Sequence, residues 1–336
     1  MPRPPSRVAP EAPLSDADLA PRDESIRIWP GRQFHVGAWR IHVRTTPTDN
    51  PAAEPALFVH GLGGSAHNWT DFAGVLRNQL AIEAIDLPGH GHSGPAPRNH
   101  YAIEAHAGAV IDYLEMSGRG PVHLAGNSLG GAVCVRVAAR RPDLLRSLTL
   151  ISPAVPDNRI RAFPLRNDPR AAAVVVPGLG ELALRFYDRR YSPAARVRAT
   201  IALCFADPAR YPDARLREAI AEQSARMSMP WAATAVARST RGLATSQFVH
   251  GRLGWATLRS LPMPTLVVWG DSDRLVAPDL APYVAAAIPD SRLLMLKDVG
   301  HVAMMEVPEV TARALLGLVE HAAAVSPVQH AVGQPG

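Results

Sequence analysis

A short glycine-rich turn carries the strongest chemical signal in this sequence. Gly126-Asn127-Ser128-Leu129-Gly130 follows the apolar run Val122–Ala125 and precedes the helix-forming segment Leu129–Arg140. A G-x-S-x-G motif between a strand and a helix is typical of a serine on a sharp, strained turn, with glycines on either side to avoid collision. The alternative is a glycine-rich turn that contains a serine by chance. The context favours Ser128 as a nucleophile, with a helix N-terminus directed at developing negative charge.

A serine hydroxyl is a poor nucleophile unless a general base and an orienting acid assist it. The apolar run Thr265–Trp269 is followed by Gly270-Asp271-Ser272-Asp273, and the run Leu293–Leu296 is followed by a segment that ends in His301. Carboxyl ends of parallel strands meet at the edge of a sheet where ligands bind. We therefore predict that His301 and one of these two aspartates lie near Ser128.

Apolar runs that alternate with helix-forming segments must position these residues. The runs are mostly uninterrupted, which is typical of strands buried on both faces of a parallel sheet, and segments such as Ala102–Met116 suit the crossover helices between them. We predict an α/β fold with a doubly wound, mostly parallel sheet. The predicted strands are Arg40–Arg44, Ala56–His60, Ala81–Asp86, Val122–Ala125, Ser147–Ile151, Thr265–Trp269 and Leu293–Leu296.

One long stretch interrupts this alternation. Residues 154–261 contain no strand-like run, and a structureless loop of that length is improbable. Their helix-forming segments are Glu181–Tyr187, Ala194–Phe205, Asp213–Met227 and Trp231–Ser239. We predict a helical cap here, inserted into a core formed by residues 25–153 and 262–322. The Pro-rich residues 1–24 are predicted to be a disordered leader, and residues 323–336 a flexible tail.

The composition argues against nucleic acid as a partner. The formal net charge is +5, Lys297 is the only lysine, and the arginines are scattered along the chain. No recognisable nucleic-acid-binding motif accompanies them. With 47% hydrophobic and 19% charged residues, the chain is typical of a globular protein.

The sequence also gives expectations about membranes and compartment. No apolar stretch approaches the ~20 residues of a membrane-spanning helix, and the first residues have no apolar signal segment. Cys134 and Cys204 are too few for a disulfide framework. We therefore expect no transmembrane segment and a cytoplasmic location; the sequence does not indicate an oligomeric state.

The chain resembles the α/β-hydrolase superfamily, in its capped serine esterase and C–C hydrolase branch, over roughly residues 26–321. The motifs HGLGG, DLPGHGHS, GNSLGG, WGDSDRLV and DVGHVAMMEVPE occur in the order typical of that superfamily. The resemblance implies Ser128 as nucleophile, His301 as general base and Asp273 as acid, because the family's acid stands third after the glycine. Asp271 is then a turn residue, and Asp157 is a substitute acid used by some relatives.

The segment His60-Gly61-Leu62-Gly63-Gly64 has two interpretations. Gly61–Ala66 fits the dinucleotide fingerprint G-x-G-x-x-A, and Asp86 ends the next apolar run, near the place of a ribose-binding acid. The resemblance instead implies a loop whose Leu62 backbone N–H, together with that of Leu129, binds an oxyanion. We favour the oxyanion loop, because a dinucleotide enzyme leaves Ser128 and its partners unexplained.

Two histidines in DLPGHGHS could suggest a metal site. His90 and His92 lie on a glycine-rich loop with no nearby cysteine or carboxylate set, which is a weak zinc signal. The resemblance gives them a structural role, and neither a metal nor another cofactor is expected.

The resemblance implies a serine hydrolase that cleaves a lipophilic or aromatic ester through an acyl-serine. C–C bond hydrolysis and cofactor-free haloperoxidase-like activity are alternatives on this fold, and a ligand-binding receptor is the non-enzymatic one. Flexible methionines and aromatic residues suit a lipophilic substrate, although core packing explains them equally well. The candidate pocket residues are His60, Gly61, Asn127, Met227, Trp231 and Met304. Further candidates are His67, Asn68, Trp69, Phe205, Met229, Phe248 and Met305.

Overall fold

The fold is described from a computed structural model of the chain. It covers residues 7–23, 27–157, 174–248 and 251–325, with the side chains of residues 247, 248 and 251–253 left out of the description.

Eight strands form one sheet with the order β1-β2-β4-β3-β5-β6-β7-β8. The pairs β1–β2 and β2–β4 are antiparallel, and every other neighbouring pair is parallel. This arrangement confirms the predicted doubly wound, mostly parallel sheet. The strands are β1 (Gly31–Val36), β2 (Trp39–Thr45), β3 (Glu54–Val59), β4 (Leu80–Ile85), β5 (Val122–Asn127), β6 (Leu145–Ile151), β7 (Thr265–Gly270) and β8 (Ser291–Leu296).

Strand β1 is absent from the prediction. Its sequence GRQFHV has no apolar run, and most of its residues are exposed. It forms because every residue pairs with one in β2 across a tight turn at Gly37, where φ is 55°. Backbone pairing with β2, and not burial of side chains, therefore explains why this edge strand forms.

Helices cover both faces of the sheet. Consecutive residues of a strand point to opposite faces, and Leu57 and Phe58 of β3 accordingly belong to separate buried clusters. One cluster includes α2 (Ile103–Ser117), α3 (Leu129–Arg140) and α9 (Ala281–Ala287). The other includes α1 (Thr70–Leu76), α10 (Ala303–Glu306) and α11 (Pro308–Val325). The 3₁₀ helices are Ala66–Trp69, Pro97–Asn99, Pro142–Leu144, Pro208–Arg210 and Pro278–Leu280.

The predicted insertion between β6 and β7 contains five of the described helices. They are α4 (Leu179–Arg190), α5 (Pro193–Cys204), α6 (Asp213–Met227), α7 (Ala232–Phe248) and α8 (Gly251–Arg259). Residues 158–173 of the insertion lie outside the described residues. Throughout the described parts of the chain, no helix combines the length and apolar character needed to cross a membrane.

The N-terminal segment differs from the expectation of a disordered leader. Glu11 forms a parallel bridge with Leu293 of β8, whose N–H donates to the Pro10 carbonyl at 2.9 Å. Ala12 and Ala20 are buried against the core. A polar, Pro-rich composition predicts little burial, but the backbone of residues 7–23 can still pair with an edge strand and cover it. Residues 1–6 and 24 of the predicted leader, and 326–336 of the predicted tail, lie outside the described residues.

Candidate active site

Ser128 lies on the sharp turn between β5 and α3. Its backbone has φ of 55° and ψ of −117°, a region that residues other than glycine rarely adopt. Its N–H donates to the Ile151 carbonyl at 3.1 Å, and its carbonyl accepts from Ala132 and Ala154. These bonds to β6, to α3 and to the start of the insertion hold the strained turn in place.

The two glycines of the motif are required by close backbone approaches. A Cβ atom at Gly126 would lie 2.5 Å from the Gly130 carbonyl oxygen, and one at Gly130 would lie 2.3 Å from the Val59 carbonyl oxygen. Real Cβ atoms do not approach backbone oxygens this closely, so any larger residue would push the turn away from β3. The steric reason predicted for these glycines agrees with the geometry of the turn.

Asp273 and His301 form a buried pair at the carboxyl ends of β7 and β8. His301 Nδ1 lies 2.8 Å from Asp273 Oδ2, and both side chains are almost completely buried. The other carboxylate oxygen accepts from the backbone N–H of Leu275 at 2.8 Å and of Val276 at 3.0 Å. Burial raises the pKa of Asp273, but the charge and hydrogen bond of His301 and these backbone donors together hold it below its ordinary value.

The neighbouring aspartate, Asp271, has a different role. It is exposed, and its Oδ1 accepts from the Asp298 N–H at 2.9 Å and from the Ser272 hydroxyl at 2.9 Å. It therefore links the loop after β7 to the loop after β8. Between the two aspartates of this turn, Asp273 is the one that contacts His301.

The loop that carries His301 is held from both the core and the cap. The His301 N–H donates to the Cys204 carbonyl of α5 at 2.7 Å, and its carbonyl accepts from Asn127 Nδ2 at 3.0 Å. The buried Glu306 accepts from the backbone N–H of Gly300 at 2.8 Å and of Ala206 at 3.1 Å. The cap is thus tied to the histidine loop by the Cys204 carbonyl and by the Glu306 carboxylate.

The glycine-rich loop after β3 lies directly against Ser128. A Cβ atom at Gly61 would lie 3.2 Å from the Cβ atom of Ser128. His60 is completely buried, and its Nδ1 lies 2.7 Å from the Gly61 carbonyl while its Nε2 accepts from the Leu87 N–H at 3.0 Å. His60 therefore supports the loop from behind and does not line the cavity, contrary to its candidate role as a pocket residue.

Asp86 is engaged by the protein itself. Its Oδ1 accepts from the Ala66 N–H at 2.6 Å, and its Oδ2 contacts His42 Nδ1 at 2.8 Å and the His92 N–H at 2.9 Å. Burial raises the pKa of Asp86, but the hydrogen bond of His42 and the charges of His60 and His42 lower it to about 2. This carboxylate anchors the start of the helix after the glycine-rich loop, which gives it a structural role in place of a ribose contact.

The two histidines considered for a metal site have separate neighbours. The His90 ring lies 5.4 Å from that of His60, whereas the His92 ring lies 5.0 Å from that of His42. Within the described residues, no group of three or more histidine, cysteine, aspartate or glutamate side chains is arranged to hold a metal ion.

One cavity of about 340 Å³ joins Ser128, His301 and the glycine-rich loop. Of the candidate pocket residues, Gly61, Asn127 and Met304 line it, as do the further candidates His67, Asn68, Phe205 and Met305. Its apolar wall includes residues of α5 and residues that follow Asp273 and His301. These apolar lining residues are Leu62, Val197, Ile201, Leu203, Phe205, Leu243, Leu275, Val276, Val302, Met304 and Met305.

Two candidate pocket residues of the cap lie elsewhere. Met227 lines a separate small cavity beside Leu184 and Ala233. Trp231 is not among the lining residues of the catalytic cavity, and its ring lies 5.8 Å from the Arg40 guanidinium. Neither residue lines the catalytic cavity, since helical periodicity predicts helices in the insertion but not which faces point to the core. Met229 and Trp69 also lie outside the cavity lining, and the Phe248 side chain is not described.

The cavity also has a polar wall that the sequence did not indicate. Glu222, Gln223 and Arg226 of α6 line it together with His67, which was a candidate. His67 contacts Glu222 Oε2 at 3.4 Å and Glu218 Oε2 at 3.5 Å. Charged residues on a helix ordinarily indicate a solvent-exposed face, so nothing in the sequence distinguishes these. Leu129, the second predicted oxyanion donor, is completely buried at the first position of α3.

Comparison with known proteins gives relatives that share most of this chain. It is 28% identical over 271 residues to "Lipase 3" of Moraxella sp. (strain TA144), covering 79% of this chain and 76% of that protein. It is 28% identical over 270 residues to "Lipase 1" of Psychrobacter immobilis, covering 78% and 76% of the two chains.

The fold is also found among solved structures. A thermophilic esterase from Thermogutta terrifontis superposes with a TM-score of 0.64 at 24% sequence identity, covering 87% of this chain and 99% of that chain. At this identity the likeness concerns the fold. A family model described as alpha/beta hydrolase fold matches residues 55–308, which include β3, the Ser128 turn, the cap and His301. The chain belongs to the alpha/beta hydrolase fold family.

Proposed function

We propose that this protein is a serine hydrolase that cleaves esters with a lipophilic or aromatic group. The observation that carries the proposal is the pair of Asp273 and His301, joined at 2.8 Å, with His301 lining the same cavity as Ser128. A strained serine, an ionised carboxylate and a buried histidine, in the chain order Ser128, Asp273 and His301, support a Ser-Asp-His triad. The lipases among its relatives support an esterase- or lipase-like hydrolase.

In this mechanism Ser128 Oγ attacks the ester carbonyl carbon while His301 Nε2 accepts the serine proton. Asp273 accepts a hydrogen bond from Nδ1–H and so keeps Nε2 free to act as a base. His301 then gives the proton to the departing alcohol, which leaves an acyl-serine. Water, deprotonated by His301, attacks this acyl group and releases the acid.

The developing oxyanion requires backbone donors at a fixed position. The Leu129 N–H at the start of α3 and the Leu62 N–H of the glycine-rich loop are the donors we assign. The contact between Gly61 and Ser128 supports this, because it places the loop beside the nucleophile. Donors fixed in advance stabilise the tetrahedral intermediate without reorganisation.

The apolar wall of the cavity supports a lipophilic substrate. Val197, Ile201 and Leu203 of α5 line the same cavity as Met304 and Met305. Aliphatic and thioether side chains adapt to acyl chains or rings without requiring a fixed polar partner.

The decisive experiment compares the wild type with Ser128→Ala. We expect hydrolysis of p-nitrophenyl butyrate to fall at least about 10³-fold, since the nucleophile is lost. A fluorophosphonate probe should label the wild type once and the variant not at all, while circular dichroism remains unchanged. Labelling of another residue in Ser128→Ala would contradict the assignment. A C–C dienone substrate tested in parallel would show whether ester cleavage is the preferred reaction.

A further inference from the structure

The glycine-rich loop receives a hydrogen bond from the cap. Arg226, near the end of α6, donates from Nη1 to the carbonyl of Gly63. A Cβ atom at Gly63 would lie 4.0 Å from the same nitrogen. Gly63 has φ of 70°, so the loop reverses direction at the residue that the arginine holds. The contact therefore links a cap helix to the loop that contains the proposed oxyanion donor.

Planar peptide groups can transmit this contact to the Leu62 N–H. The Gly63 carbonyl and the Gly64 N–H share one peptide plane, and the Gly64 N–H donates to the Gly61 carbonyl at 3.1 Å. The Gly61 carbonyl in turn shares a plane with the Leu62 N–H. Because each plane is rigid, fixing the Gly63 carbonyl restrains the direction in which the Leu62 N–H points.

Arg226 is itself held in position. Its Nη2 donates to Gln223 Oε1 one turn earlier on α6, and Gln223 is 8% exposed. Burial lowers the pKa of Arg226, and the negative charge of Glu222 partly opposes this. Glu222 also contacts His67, which follows the glycine-rich loop. Helix α6 thus contacts the loop region at two points. The bond from Arg226 to Gly63 is partly buried, and a buried hydrogen bond is stronger than one at the surface.

We propose that Arg226 is a positioning residue for the oxyanion hole, acting through the Gly63 and Gly61 peptide groups on the Leu62 N–H. The inference rests on the proposed function, since it concerns the oxyanion of the ester reaction. It makes the cap part of the catalytic apparatus as well as a wall of the pocket.

Kinetics of Arg226→Met provide the first test. We expect kcat for p-nitrophenyl butyrate to fall about 10- to 100-fold with KM changed less than about 3-fold, because losing an oxyanion donor costs about 10² to 10³ and a displaced donor costs less. Arg226→Lys keeps a cation that can donate to the Gly63 carbonyl, so its kcat should fall less than that of Arg226→Met. Arg217→Met, at an exposed position of the same helix, is the matched control and should behave as wild type.

An inhibitor pair separates positioning from substrate contact. The serine of a hydrolase adds to a trifluoromethyl ketone, and the ketone oxygen becomes an oxyanion in the tetrahedral adduct. The corresponding alkyl ketone forms no such adduct. Affinity for the first should fall in Arg226→Met by the same factor as kcat/KM, while affinity for the second should not change. A raised KM with unchanged kcat, or equal losses for both ketones, would overturn the proposal. Arg226→Lys carries the same comparison if Arg226→Met does not fold.

Hydrogen exchange tests the contact without any substrate. The Gly64 N–H should exchange faster in Arg226→Met than in the wild type or Arg217→Met, because its bond to the Gly61 carbonyl is less restrained. Unchanged exchange would overturn the proposal even if activity fell. If the wild type hydrolyses no ester, the proposed function fails. If the wild type hydrolyses esters and the Arg226 variants have the same kcat as Arg217→Met, only the positioning role fails.

Discussion

Ser128 has a backbone conformation that is costly for a serine and is fixed from three sides. Strain of this kind costs about 1–3 kcal/mol and persists where the surroundings determine it. Ile151, Ala132 and Ala154 supply those surroundings through backbone hydrogen bonds. The turn and the histidine were predictable because short motifs encode them locally. The contact from Arg226 was not, because it joins residues far apart in the sequence.

The two aspartates of the turn after β7 provide a matched pair of variants. We expect Asp273→Asn to lower kcat by up to about 10⁴-fold, the loss seen for the equivalent change in a serine protease, because asparagine favours the wrong histidine tautomer. Asp271→Asn should retain activity within about 3-fold, since its carboxylate links the loops after β7 and β8 and Asp273 is the aspartate that contacts His301. Steady-state ester hydrolysis checks both, with thermal unfolding as the control for folding. An inactive Asp271→Asn and an active Asp273→Asn would reverse the assignment.

Most helices of the cap were predictable individually, but α8 and the arrangement of the helices were not. The sequence predicts a helix over Asp213–Met227, and α6 has the same bounds. Which side of each helix lines the cavity depends on packing between helices, for which intrinsic helical propensity gives no information. The cavity is consequently lined by α5 and by the polar side of α6, while Met227 lies behind it.

Helix α5 should therefore determine the preferred acyl length. Val197→Phe adds volume to the wall of the cavity of about 340 Å³, so we expect the optimum to shift towards shorter chains. One methylene group in an apolar pocket is worth ~1–3 kcal/mol, so the selectivity between neighbouring chain lengths should change by about 10- to 200-fold. Met227→Leu, outside this cavity, should leave the profile unchanged. The kcat/KM values for p-nitrophenyl esters from acetate to decanoate measure this. A changed profile in Met227→Leu alone would place the acyl pocket elsewhere.

At the scale of the whole molecule, the alternation of apolar runs and helices was sufficient to predict the sheet. It did not reveal β1 or the packing of residues 7–23, because both pair through their backbone and neither contains an apolar run. It also did not reveal that three histidines, His60, His90 and His106, are buried together. Their rings form a row, with 5.4 Å and 5.8 Å between neighbouring centroids.

Burial lowers the pKa of all three histidines, to about 3 for His106, and the neighbouring imidazole of His60 lowers those of His90 and His106 further. The folded state therefore keeps them neutral at pH values where the unfolded chain, with a histidine pKa near 6.5, binds protons. The free energy of unfolding is therefore greatest above the unfolded-state histidine pKa of about 6.5. It decreases as the pH falls below that value, by up to about 1.4 kcal/mol per pH unit for each histidine.

Replacing His106 by glutamine should reduce this loss of stability in acid. Between pH 6.5 and pH 4.5 we expect the free energy of unfolding of the wild type to decrease steeply. The slope in His106→Gln should be smaller by up to about 1.4 kcal/mol per pH unit, because one proton-binding group of the unfolded chain is gone. Urea denaturation at several pH values measures the slope, which is independent of any constant loss from the hydrogen bond to Ser239. His35→Gln is the control, since His35 is exposed. Equal slopes in wild type and His106→Gln would mean that His106 takes up a proton in the folded protein as readily as in the unfolded chain.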